Sequence, residues 1–186
     1  MQINHLYLCP SFFKSKIMKQ LVLGFLLLLF TSIQAQELNK AIIDPDLNRE
    51  ILEGWVNRAG ISSKDYLSQE QLKIDAYQAN AEAISYLKEA FSADKSLHVL
   101  VVFGTWCGDS KANVPDFFKV AELAQISNIK YLAVNRRKNA NGVDMSKMNI
   151  ELVPTFIVYR GDTEIGRIIE NPNYTLEDDL VSIVKK

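Results

Sequence analysis

Apolar residues recur along the chain at strand spacing, at helix spacing and in continuous runs, and each pattern predicts a different element. From Leu97 to Phe103 every residue except His98 is aliphatic or aromatic, which predicts a strand buried on both faces. Beyond it Val114, Phe117, Phe118, Ala121, Leu123 and Ala124 fall at near-helical intervals, so a helix is expected to begin close to Cys107. Residues 129–134 alternate weakly and predict a second buried strand. Residues 156–159 and 165–169 flank Gly161-Asp162, a hairpin signal. Leu176, Leu180, Val181, Ile183 and Val184 predict a closing helix, with Thr175 as its cap.

The earlier part reads as helical. Asp44-Pro45 fits an N-cap followed by proline at the first helical position, and Leu47, Ile51, Leu52, Trp55, Val56 and Ala59 then share one face, with Gly60 at the end. Ser68 and Gln71 form a capping-box pair before Leu72, Ala76, Ala79, Ala83, Tyr86, Leu87 and Ala90, which predicts one long helix. A strand between Ile61 and Leu67 has only a poor signal. Residues 135–149 are polar and basic with a turn at Asn141-Gly142. This order predicts an α/β fold: a central mixed sheet with helices on both faces and an N-terminal helical extension.

The head of the chain is not expected to be part of that fold. Lys14, Lys16 and Lys19 precede the apolar run 21–30, and the stretch ends on the small residue Ala35. That is the pattern of a secretory signal peptide, and the apolar run is about half of the roughly 20 residues a membrane span needs. Residues 1–35 are therefore expected to be a cleaved signal, residues 36–66 an extension and residues 67–186 the main domain. Met18-Lys19 would itself make a conventional start. The protein is expected to be periplasmic or secreted, and membrane-bound only if the signal stays uncleaved.

Cleavage changes two properties. The first 35 residues hold three lysines and no acidic residue, so the net charge moves from -1 to -4. Of two cysteines only Cys107 remains, so no internal disulfide holds the exported chain together and apolar burial must do so. A mildly acidic chain gives no reason to expect nucleic acid as a partner. His98 has no second histidine or cysteine beside it after cleavage, and no phosphate-binding or dinucleotide glycine motif is present; no cofactor or metal is expected. The cluster Arg136-Arg137-Lys138 with Lys147 reads as a solvated loop rather than an anion site.

The chemistry points to Cys107. A thiol at a strand-to-helix junction meets unpaired backbone N–H groups and the positive end of the helix dipole, which favour thiolate, the reactive form. Trp106-Cys107-Gly108-Asp109-Ser110-Lys111, with Pro115 in the following helix, resembles the active-site helix of the thioredoxin family, Trp-Cys-Gly-Pro-Cys-Lys with a later proline. Val153-Pro154-Thr155-Phe156 resembles that family's cis-proline segment, which precedes a strand and faces the active cysteine. The resemblance, covering residues 68 to 186, implies a thioredoxin-like fold. It also implies that Cys107 is the attacking thiol, that Trp106 shapes the surface around it, and that Val153, Pro154 and Thr155 meet an extended substrate peptide.

Three positions depart from the family. Ser110 replaces the second cysteine, so a mixed disulfide cannot be resolved internally. Val101 stands where thioredoxins keep a buried acid, six residues before Cys107. Asp109 replaces the intervening proline; its carboxylate suits a helix N-terminus but raises the cost of a thiolate, which Lys111 and a hydroxyl donated by Ser110 would offset.

Three functions are consistent with these residues. The first is a monothiol thiol–disulfide oxidoreductase, isomerase or deglutathionylase, acting on thiol or disulfide proteins with glutathione or another small thiol as partner. The second is a non-redox peptide-binding or chaperone-like module, and the third an oxidation sensor.

Overall fold

The computed structural model describes residues 37–186; the expected signal peptide lies outside them. Among these residues no helix is long and apolar enough to cross a membrane. The elements in order are β1 (Ala41–Asp44), β2 (Arg49–Leu52), β3 (Gly54–Val56), α1 (Arg58–Ser62), α2 (Glu70–Ala76), α3 (Ala81–Ala93), β4 (Leu97–Phe103), α4 (Gly108–Leu123), β5 (Ile129–Ala133), β6 (Thr155–Arg160), β7 (Thr163–Ile169) and α5 (Leu176–Val184).

Five strands form a mixed sheet in the order β3-β5-β4-β6-β7. β4 runs parallel to β5, and the β3–β5, β4–β6 and β6–β7 pairs are antiparallel. This is the mixed sheet with helices of a thioredoxin-like fold. β4 lies at its centre because its side chains are apolar in both directions. Leu97, Val99, Val101 and Phe103 enter one core layer, and Leu100 and Val102 enter the other. Burying each such side chain contributes roughly 1.5–3 kcal/mol, so this strand anchors both layers.

The two layers are covered differently. Ile61, Ile74, Leu87, Phe91, Val114, Phe117, Leu180 and Ile183, drawn from all five helices, join the first. The second is closed by Trp55, Trp106, Val143, Met145, Met148 and Ile150. The expectation of helices on both faces is thus corrected: the polar stretch after β5 covers the second face as a loop, using isolated apolar residues.

The N-terminal helical extension is also corrected. Residues 41–52 form a two-stranded hairpin, with Asp44 opposite Arg49, and β3 joins the edge of the main sheet. Asp44 does accept backbone N–H groups, but those of Asp46 and Leu47 in a tight turn, and Asn48 takes a left-handed conformation (φ 49°) that ends any helical path. The predicted long helix is two helices. Asp65, rather than Ser68, accepts from Gln69 N and Glu70 N, and Asn80 starts α3 by accepting from Glu82 N and Ala83 N. The β6–β7 hairpin and the Thr175 cap of α5 stand as expected.

Candidate active site

β4 ends at Phe103, and a turn closed by Cys107 N donating to Gly104 O (2.9 Å) delivers the chain to α4. Cys107 occupies the N-cap in an extended conformation, and its side chain makes no capping bond. Its sulfur is left for other work. The side chain is half-buried, with Sγ 3.1 Å from Val153 O and 3.8 Å from Asp109 Oδ2.

Val153 O belongs to the second segment expected at the site. The Val153–Pro154 bond is cis. Pro154 O accepts from Glu170 N (2.7 Å), tying the segment to the end of β7. Thr155 is buried; its hydroxyl donates to Leu152 O (2.7 Å), and its backbone lies between Val102 and Ile169 in the sheet. The structure therefore brings Cys107, Val153 and Pro154 together, while the Thr155 side chain faces inward and holds the turn.

Ser110 is fully buried, and its Oγ accepts from Gly104 N (3.2 Å). Among the described residues it makes no hydrogen bond to Sγ. Its hydroxyl fastens the first turn of α4 to the end of β4, three residues before the thiol. Val101, on the same strand, is fully buried in the first core layer, so an alkyl group stands at the family's acid position.

Trp106 is held on several sides. Its Nε1 donates to Val134 O (2.8 Å), and the Arg136 guanidinium lies 4.7 Å from its ring centroid. Gly104 lies against the indole: a Cβ there would be 2.6 Å from Cε2 and Nε1. The backbone carbonyl of Trp106 accepts from Arg49 Nη2 (2.8 Å).

Arg49 belongs to the N-terminal hairpin, an element that sequence reasoning had not placed near the site. Leu52 N donates to Thr105 Oγ1 (3.2 Å), and Arg136 N donates to Asp44 Oδ2 (3.0 Å). Asn135 Nδ2 donates to Glu53 Oε1, and Arg137 pairs with Asp46 at 2.8 Å. The Arg136 amide, followed by those of Asp46 and Leu47, holds the Asp44 carboxyl below its usual range. The Arg137 guanidinium does the same for Asp46. The hairpin thus grips both the Cys107 loop and the loop after β5. The turn residues Asp44-Pro45-Asp46 were the one local cue, and they fit a helix start as well as a tight turn.

The thioredoxin family profile matches residues 60–181, most of the chain. The thioredoxin-like protein R548 of Acanthamoeba polyphaga mimivirus is 26% identical over 87 residues, covering 47% of this chain and 62% of its own length. This chain therefore spans less than two thirds of that relative. Thioredoxin Asp f 28 of Aspergillus fumigatus is 28% identical over 87 residues, covering 46% of this chain and 76% of its own. Among solved structures, thioredoxin f2 of Chlamydomonas reinhardtii is 22% identical with a TM-score of 0.35, covering 53% of this chain and 89% of that one. With the profile spanning β4, α4, the Cys107 junction and the cis-proline turn, the chain belongs to the thioredoxin family.

Proposed function

We propose that the protein is an exported thiol–disulfide oxidoreductase of monothiol type, which exchanges disulfides with partner proteins through Cys107 alone. The observation that carries the reading is the half-exposed Cys107 sulfur at the N-cap of α4, 3.1 Å from the Val153 carbonyl. A deprotonated Sγ attacks one sulfur of a substrate disulfide. The Sγ–S bond forms as the substrate S–S bond breaks, and the departing sulfur leaves as a thiolate that takes up a proton. Ser110 has no sulfur with which to attack in turn, so an external thiolate, from glutathione or another small thiol, attacks the substrate sulfur of the mixed disulfide. The Sγ–S bond breaks, Cys107 leaves as a thiolate, and the substrate departs carrying the small thiol in a new disulfide. No net electrons are gained in that cycle.

Export is proposed from the basic head, the apolar run and Ala35; mass measurement of the mature chain from the cell envelope tests it, with Gln36 as the expected first residue. The exchange reading is tested by incubating the reduced protein with a disulfide-containing protein and resolving mixed disulfides without reductant. An adduct that disappears in Cys107→Ser is expected. Equal recovery of partner with Cys107→Ser would instead favour a peptide-binding module, and absence of any adduct would overturn the exchange reading.

A further inference from the structure

Two guanidinium groups flank Trp106, the residue next to the reactive sulfur, and neither makes a salt bridge among the described residues, although the Asp46 carboxylate, paired with Arg137, also feels the Arg136 charge. Arg49 donates one N–H to the Trp106 carbonyl. Arg136 places its guanidinium over the Trp106 ring, and its side chain makes no hydrogen bond among the described residues. A guanidinium carries five N–H donors in a planar fork suited to carboxylates, so most of the donor capacity on this side of Cys107 is open. Both residues are exposed.

The neighbouring carboxylates are already engaged. Asp44 accepts three backbone amides, Asp46 is paired with Arg137, and Glu50 accepts from Lys64 and Tyr66. Glu53 accepts from Asn135. Asp109, 3.8 Å from Sγ, opposes an incoming anion at the sulfur itself. The two arginines lie on the tryptophan side, and they come from elements 87 residues apart that the hairpin's contacts with the 135–137 loop bring together.

We propose that Arg49 and Arg136 form a carboxylate-reading surface that selects, as exchange partners for Cys107, disulfides set in acidic segments of polypeptide. The proposal rests on the exchange reading above and names its substrate class. Two guanidiniums fixed at different atoms of one indole residue present two separate attachment points, which suits acidic side chains on a peptide passing Trp106. Attraction of this kind raises the rate of encounter more than it deepens final affinity, and salt screens it.

The test uses two peptides, each with one cysteine activated as a neutral pyridyl disulfide, flanked by glutamates in one and lysines in the other. Attack by Cys107 joins Sγ to the peptide sulfur and releases the thiopyridine, whose absorbance is followed. Each rate is divided by that of the same peptide with a small neutral thiol. The acidic peptide is expected to react about tenfold faster at low salt, and the ratio is expected to approach one in about 1 M salt. The double variant Arg49→Gln, Arg136→Gln is expected to lose the preference at low salt. Arg49→Lys with Arg136→Lys is expected to keep most of it, and so is Lys138→Gln, which removes a charge from the same loop.

Equal rates for both peptides in the unmodified protein would overturn the selectivity while leaving the exchange reading intact. A preference that survives the double glutamine variant would also overturn it. Release from neither peptide would overturn both readings. Should the double glutamine variant fail to fold, the salt dependence and the lysine pair decide the matter.

Discussion

The Cys107 sulfur and the Val153 carbonyl oxygen are 3.1 Å apart, so in the reduced protein the thiol donates to the backbone of the cis-proline turn. That carbonyl is the acceptor nearest the reacting atom, and a peptide strand docking there would compete with the thiol for it. Replacing the sulfur should therefore remove chemistry and little else. Cys107→Ser is expected to give no mixed disulfide with any disulfide reagent, while its unfolding free energy stays within about 1 kcal/mol of the parent, because the side chain is only half-buried. Denaturant titration and non-reducing electrophoresis measure the two halves. An adduct that persists in Cys107→Ser would remove this residue from the site.

Ser110 has two separable roles to test. Its buried hydroxyl satisfies Gly104 N, so Ser110→Ala is expected to cost about 1–3 kcal/mol, the usual penalty of an orphaned buried donor. Ser110→Cys places a second sulfur on the first turn of the same helix, three residues after Cys107. It is expected to confer reduction of a protein disulfide in the presence of a dithiol regenerant, an activity the parent should lack. No gain would mean that Val101 and Asp109 suffice to disable dithiol chemistry at this junction.

The parts of this arrangement that were legible in advance are those whose cause is local. A run of seven apolar-rich residues has few places to go except the middle of a sheet, and the Trp106-Cys107 and Val153-Pro154 segments were legible as a site through their resemblance to the two thioredoxin motifs. The hairpin at 41–52 was not legible because Asp44 followed by Pro45 satisfies a helix start and a tight turn equally well. What decides between them is Arg136, whose amide donates to the Asp44 carboxylate across 92 residues of chain. The break between α2 and α3 has the same character. Glu177 accepts both Tyr77 OH and Asn80 N at 2.6 Å from the far end of the sequence. Arg49 and Arg136 likewise meet at Trp106 through tertiary contacts, with no spacing that would announce them.

Gly104 sets how closely the indole lies against the end of β4. A methyl group there would fall 2.6 Å from Trp106 Cε2 and Nε1, and the ring cannot withdraw without breaking its bond to Val134 O. Gly104→Ala is expected to destabilise the fold by about 1–3 kcal/mol, as overpacking does. It should also release Arg136 from the ring face. Tryptophan emission, compared with that of a Trp55→Phe background, should shift to the red for Trp106. An unchanged spectrum would mean that the loop absorbs the methyl group elsewhere.

The Asp44 carboxyl is held below its usual value of 3.8 by the Arg136 amide first and by the Asp46 and Leu47 amides after it. A depressed carboxyl contributes stability that is present above the unfolded value and is lost as pH falls through the folded one. The grip of the hairpin on the 135–137 loop should therefore be full at neutral pH and weaken only in acid below pH 3.8. Asp44→Ala is expected to loosen it at every pH. Hydrogen exchange at the Arg136 amide reads this directly: fast exchange in the variant at pH 7 is expected, and protection equal to the parent's would mean that the carboxylate does not hold the loop.

Asp116 on α4 behaves in the opposite sense. Burial raises its carboxyl to about 6, with the Lys73 ammonium opposing the shift and the Glu177 carboxylate adding to it. The folded protein therefore keeps a proton that the unfolded chain releases near 3.8. Since the folded state binds more protons between those two values, stability falls as pH rises from about 4 to about 6 and levels off above. Asp116→Asn removes the ionisation and should flatten that slope. At pH 7 it should stabilise the protein by an amount on the order of 1 kcal/mol, the full linkage value being reduced because the group is half-open to solvent. Melting temperatures of parent and variant across pH 4 to 7 are expected to converge in acid and separate toward neutrality. Curves that separate in acid instead would reverse the sign and show that Lys73, rather than burial, governs this carboxyl.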